Sequence, residues 1–143
     1  MSFSESSNIL MLVIASGFLA VIYGFFTGKQ ILSSDSGSSK MKEIATAIQI
    51  GAQAYLNRQY KTIGIVGFAV LIIIIFTFGI YVGFGYIIGA TLSGIAGYVG
   101  MLVSVQANVR TTQAAKSSLA KGLEIAFKSG AVTGLLVAGL ALL

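Results

Sequence analysis

The sequence predicts an all-α fold: a polytopic transmembrane helix bundle of four helices, with the N-terminus outside. Three observations carry this. No charged residue occurs from Thr62 to Val109, a stretch long enough for two helical crossings at roughly 20 apolar residues each. All nine Lys and Arg residues fall in two flanking intervals, Lys29 to Lys61 and Arg110 to Lys128. Charged residues are 9% of the chain and hydrophobic residues 56%, where an average soluble domain carries roughly 25% charge. Soluble domains scatter charge to keep their whole surface wet, whereas a bilayer confines it. Pro is absent and Gly occurs 18 times. The first suits long unbroken helices, and the second lets membrane helices approach closely.

Met1 to Ser7 is a short polar lead carrying Glu5. Asn8 to Phe26 (NILMLVIASGFLAVIYGFF) is the first span. A signal peptide would carry its basic residues before the apolar run. Here the basic residue follows, at Lys29, which places the N-terminus outside. Ser33 to Ser39 (SSDSGSS) reads as a flexible polar loop. From Met41 to Tyr60 the apolar residues Ile44, Ala47, Ile48, Gly51, Ala52, Tyr55 and Leu56 recur at helical spacing. No breaker separates this segment from the second span, so both can belong to one long helix.

Thr62 to Val82 is the second span. Gly83 and Gly85, around Phe84, predict a tight turn, and the third span runs from Phe84 to Val105. Two rows of small residues mark it: Gly85, Gly89, Ser93 and Gly97, and then Ala96, Gly100 and Ser104. Such rows permit close helix packing, so this span is expected between other helices. Asn108 to Lys128 again reads as helical, with no obvious break before the last apolar run. Gly130, Gly134 and Ala138 form a further row there. Ser129 to Leu143 is roughly 22 Å long at 1.5 Å per residue, short of a hydrocarbon core of about 30 Å, so a chain continuing past Leu143 is expected. The organisation is one membrane domain over residues 1–143, with spans near 8–26, 62–82, 84–105 and 126–143. Intervals 27–61 and 106–128 are cytoplasmic, which puts every Lys and Arg inside.

The chemistry is sparse. There is no Cys and no His, so disulfides, thiolate sites and imidazole bases are excluded. The net charge of +5 flanks apolar segments and so speaks for headgroups and orientation, not for nucleic acid. The four acids are Glu5, Asp35, Glu43 and Glu124, and none sits near the middle of a span. A rotor-ring proteolipid and a small four-helix multidrug exporter each need such a carboxylate. The Gly-rich run from Gly94 to Gly100 lacks the following Lys and Ser/Thr of a phosphate loop. Ser16, Tyr23, Thr77, Tyr81, Tyr86, Thr91, Ser93, Tyr98, Ser104 and Thr133 are read as bonding to their own helix backbone or to a neighbouring helix. Glu43 and Glu124 could contribute oxygens to Mg²⁺, but are read as local partners of Lys or Arg.

Three segments carry a specific resemblance: Glu43 to Lys61 (EIATAIQIGAQAYLNRQYK), Gly89 to Ala115 (GATLSGIAGYVGMLVSVQANVRTTQAA) and Leu119 to Leu142 (LAKGLEIAFKSGAVTGLLVAGLAL). In order and spacing they resemble the region around the second, third and fourth helices of membrane-bound, ion-pumping inorganic pyrophosphatases. Ile50 departs from the pattern, since many members carry an acid there. The resemblance implies an N-terminal fragment of a homodimeric pump, each subunit having about sixteen transmembrane helices in two rings. Such a pump hydrolyses pyrophosphate with Mg²⁺ and moves H⁺ or Na⁺ outward, the need for K⁺ being left open. It further implies a multi-pass protein of a prokaryotic cell membrane. The acid-rich motifs and ion gate of the family lie on later helices. Accordingly no catalytic, cofactor-binding or metal-ligating residue is assigned in this chain, whose implied role is outer-ring scaffold packed against the remaining helices. The alternative is a small self-contained membrane protein that assembles through its glycine faces.

Overall fold

Inside a bilayer every backbone amide must find its partner within the chain, so an apolar span is a continuous helix. The computed structural model describes residues 3–143, with side chains from Ser6 onward. The start of the polar lead and the Glu5 side chain lie outside the described residues. Four helices make up the chain: α1 Phe3–Leu32, α2 Ser39–Phe78, α3 Ile80–Ala115 and α4 Leu119–Leu142. All four are long and apolar enough to cross a membrane. The 40 residues of α2 extend about 60 Å, roughly twice a hydrocarbon core. Its polar first half and apolar second half are thus one uninterrupted rod.

The breaks between helices correct three expectations. The second and third spans do not part at Gly83 and Gly85. They part at Gly79, whose φ of 90° lies where a side chain is disfavoured. The Gly79 amide donates to the Ile75 carbonyl at 3.0 Å, and its own carbonyl receives the Gly83 amide at 3.2 Å. Gly83 instead serves the packing just after the turn, because a Cβ there would lie 2.6 Å from Ile75 Cγ1. The second polar interval is not one helix. α3 ends at Ala115, and Ser118 caps α4 by accepting the Lys121 amide at 3.2 Å. A serine before an apolar run is an N-cap signal, and here it lies within a polar interval that otherwise reads as helical. The Ser33–Ser39 segment is a tethered turn, not a loose linker. Asp35 Oδ1 accepts the Gly37 amide at 2.9 Å, and Ser38 Oγ accepts the Met41 amide at 3.4 Å to cap α2. Ser, Asp and Gly build turns with the same short polar groups that enrich flexible linkers.

α4 packs between α1 and α3, α1 touches α3 lightly, and α2 packs on α3 alone. α3 therefore lies between two helices, as its small residues predict. The core is Ile31, Val103, Ala107, Val132 and Leu136, with Val21 and Ile125 packed against it. On α3 the buried face is Ala96, Gly100, Val103 and Ala107. The row Gly85, Gly89, Ser93 and Gly97 does not form one interface. Gly85 and Gly89 face open space, while a Cβ at Gly97 would lie 2.7 Å from the Tyr60 hydroxyl of α2. At 3.6 residues per turn a strict four-residue row drifts about 40° per step, so its two ends point in different directions. Spacing of four, three and four, as in Ala96–Gly100–Val103–Ala107, cancels the drift. The Gly130, Gly134 and Ala138 row of α4 likewise lies on the open side. α4 packs instead through Val132, Leu136 and Gly139. On α1 the matching glycines are Gly17, Gly24 and Gly28, which approach Gly139, Leu136 and Val132 in turn.

Candidate functional site

The polar side chains converge at one end of the bundle, where the α1–α2 turn meets the last turns of α3. Helix C-termini leave carbonyls without partners. Arg110 of α3 supplies donors to this end of α1. Its Nη2 donates to the Leu32 carbonyl at 2.7 Å and its Nε to the Ser34 carbonyl at 3.2 Å, while Nη1 donates to Gln106 within α3 at 2.7 Å. The planar guanidinium can serve three directions at once, which an ammonium on a flexible stem cannot. One turn further, Gln113 Nε2 donates to Asp35 Oδ2 at 3.0 Å. Lys116 Nζ lies 2.9 Å from Met41 Sδ of α2. Both charged intervals therefore share one end of the bundle.

Asp35 is held below its ordinary carboxylate pKa. The Gly37 amide is the largest cause and the Gln113 amide the next, opposed by partial desolvation and aided by Lys42 and Lys116. Gly37 completes the junction, with φ of 80° and a missing Cβ that would lie 2.7 Å from Met41 Sδ and 2.8 Å from Gln113 Oε1. Sequence reasoning left Arg110, Gln113 and Asp35 without roles. The signal available was local: Arg110 and Gln113 are three apart, hence on one helix face. Nothing local says which turn that face meets.

The other two acids with described side chains are engaged locally. Glu43 pairs with Lys40 at 3.3 Å and Glu124 with Lys128 at 2.7 Å, both mostly exposed to solvent. Among the described residues no three His, Cys, Asp or Glu side chains come together. A Mg²⁺–pyrophosphate centre needs several oxygens around each ion, and the described acids do not fit one.

Of the ten polar groups named within the apolar stretches, Ser16, Thr77, Tyr86, Tyr98 and Thr133 bond within the protein, whereas Tyr23, Tyr81, Thr91, Ser93 and Ser104 make no such bond. Ser16 donates to the Leu12 carbonyl at 2.7 Å and Thr77 to the Ile73 carbonyl at 2.8 Å, each within its own helix. Tyr86 donates to the Gly67 carbonyl and Thr133 to the Gly100 carbonyl, both at 3.3 Å and both between helices. Tyr98 reaches a side chain, Asn57 Oδ1, at 3.1 Å. No buried side-chain nitrogen or oxygen among the described residues lacks a partner. The arrangement is that of helices held in register by hydrogen bonds within and between them.

Comparison with known proteins supplies the kinship that this geometry does not. The family model for inorganic H⁺ pyrophosphatase matches residues 18–143. A K(+)-insensitive pyrophosphate-energized proton pump of Methanosarcina mazei is 47% identical over 130 residues, covering 90% of this chain and 19% of the relative. A second K(+)-insensitive pyrophosphate-energized proton pump, from Moorella thermoacetica, is 42% identical with the same coverage of 90% and 19%. A protein of Bacteroides thetaiotaomicron, provisionally named a K(+)-stimulated pyrophosphate-energized sodium pump, is 38% identical over 143 residues, 96% of this chain and 20% of its own. The chain thus spans about one fifth of the length of these relatives. No solved structure matches significantly. Four apolar helices and this kinship define an integral, multi-pass membrane protein. By a match that extends over most of its length, the chain belongs to the inorganic H⁺ pyrophosphatase family.

Proposed function

We propose that this chain works as the outer-ring scaffold of a pyrophosphate-energized ion pump, and that it supplies no catalytic group of its own. The single observation that carries this reading is the family match over residues 18–143. In the proposed pump, Mg²⁺-dependent hydrolysis of pyrophosphate on the cytoplasmic side drives H⁺ or Na⁺ outward. Mg²⁺ and pyrophosphate bind to acids elsewhere in the protein, because Asp35, Glu43 and Glu124 are each engaged locally. The pump is a homodimer of about sixteen helices per subunit in a prokaryotic cell membrane, with the N-terminus of this chain outside. The confinement of all nine basic residues to the two intervals flanking the charge-free stretch supports that orientation. The open glycine faces of α3 and α4 receive the remaining helices of the same protein.

The test has two arms. Membrane vesicles containing the intact pump are expected to couple pyrophosphate hydrolysis to ion uptake. The purified 143-residue chain is expected to hydrolyse none with Mg²⁺ present. Turnover by the purified chain would overturn the scaffold assignment, and absence of pyrophosphate-driven uptake by the intact protein would overturn the pump assignment.

A further inference from the structure

We propose that the groove between α2 and α3 binds an anionic phospholipid, with an acyl chain in the groove and the phosphate on Lys61. The groove measures about 610 Å³ and its walls include Ile63, Phe68, Leu71, Ile87 and Ile95. It lies inside the charge-free stretch, at hydrocarbon depth, so an apolar chain is its natural filling. Its tyrosine hydroxyls are already partnered: Tyr60 donates to the Gly94 carbonyl at 2.9 Å, Tyr86 to the Gly67 carbonyl at 3.3 Å and Tyr98 to Asn57 Oδ1 at 3.1 Å. Gly64 keeps the wall open, since a Cβ there would meet nothing within 4 Å.

The charge at the mouth selects the headgroup. Asn57, Lys61, Gly64 and Phe68 follow one another at intervals of four, three and four, so they share one edge of α2. Lys61 stands one turn from Gly64 on that edge, where the charged half of the helix gives way to the apolar half. Arg58 stands one turn further on, about 60° further round the helix and off that edge. The ion pairs among the described residues are Lys40–Glu43 and Lys128–Glu124, so neither cation is neutralised. α2 has no acid beyond Glu43, and α3 has none at all. One unpaired cation at the interfacial end of an apolar groove, with Arg58 adding to the local positive field, complements a lipid of net negative charge. A zwitterionic lipid would bring a third cation to the same place.

The membrane-embedded protein is reconstituted in equal parts phosphatidylglycerol and phosphatidylcholine, then released and weighed by native mass spectrometry with its retained lipid. Each interfacial cation favours an anionic lipid by roughly fivefold, so phosphatidylglycerol should be retained at least about fivefold over phosphatidylcholine. Lys61→Gln with Arg58→Gln should abolish the preference while lipid is still retained. Gly64→Leu, whose side chain enters open space, should displace the lipid without disturbing the helix. Equal retention of both lipids by the unaltered protein would overturn the proposal. So would a preference that survives both variants, or a Gly64→Cys variant that cross-links to a protein segment and not to a lipid photoprobe.

Discussion

Two glycines on one helix should respond in opposite ways to the same added methyl group. Gly139 and Gly134 both lie on α4. A Cβ at Gly139 would lie 2.9 Å from the Gly17 carbonyl oxygen, 3.0 Å from Ala20 Cβ and 3.2 Å from Val21 Cγ2. The first of these is backbone and cannot rotate away. The approach is mutual, because a Cβ at Gly17 would lie 2.9 Å from the Gly139 carbonyl. Accommodating Gly139→Ala therefore means parting α1 from α4 by about 0.5 Å, which forfeits about a quarter of the dispersion well at each contact along the seam. That seam includes the Gly24–Leu136 and Gly28–Val132 contacts. Overpacking of this kind costs about 1–3 kcal/mol. A Cβ at Gly134 meets nothing within 4 Å, so Gly134→Ala should be neutral or stabilise by up to about 1 kcal/mol through helix propensity. Steric-trap unfolding of the 143-residue chain in bicelles, where the Gly134 face of α4 is open, can measure both variants on one scale. Equal stabilities for the two variants, or a Gly139→Ala cost under about 0.5 kcal/mol, would refute the inferred α1–α4 contact.

The junction at the charged end makes further predictions. Arg110→Ala should cost about 1.5–3 kcal/mol, as expected for charge-assisted hydrogen bonds, and should speed hydrogen exchange in residues 33–38. Arg110→Lys should restore only part of the protection, since it cannot reach three carbonyls together. Asp35 has a folded pKa lowered by the Gly37 and Gln113 amides, so its contribution is complete above the unfolded value of about 3.9 and is lost as pH falls through the lowered folded value. A spin label at position 36 should keep its mobility from neutral pH down to about 4 and loosen below that. Loosening centred above the ordinary carboxylate value would contradict the assignment. Gly79→Ala meets no atom within 4 Å but must adopt a φ near 90°, a purely conformational cost of about 1–2 kcal/mol that should lower the melting temperature in detergent.

The expected outer-end turn illustrates what a sequence can and cannot show. Gly79, Gly83 and Gly85 all stand near the boundary, and glycine is the right residue for both a turn and a close contact. Choosing between those uses requires knowing which residue faces the partner helix. In the structure Gly79 has the positive φ and Gly83 faces Ile75. The Arg110 clamp was hidden for a similar reason. Its residues were in view, and ANVRTTQAA helped to carry the family resemblance, but the carbonyls it serves belong to Leu32 and Ser34, far away in sequence. Ile50, the departure from the family pattern, is exposed in this chain, at 64%, so no buried contact marks its role here.

Membrane character, helix count and the sharing of one end by both charged intervals were determined by the sequence alone. Charge in hydrocarbon costs several kcal/mol wherever it falls, so segments sort by composition before any packing is known. Helix adjacency was decided only in three dimensions. α1 meets α4 and not α2, its neighbour in sequence, and of the small-residue rows only Ala96–Gly100–Val103–Ala107 and Gly17–Gly24–Gly28 are pressed against a partner. The reason is that lipid tails are as apolar as the side chains, so hydrophobicity places a helix in the membrane without choosing its partner. That choice falls to backbone proximity at particular glycines and to a few hydrogen bonds between helices, and both depend on how each helix is rotated about its axis.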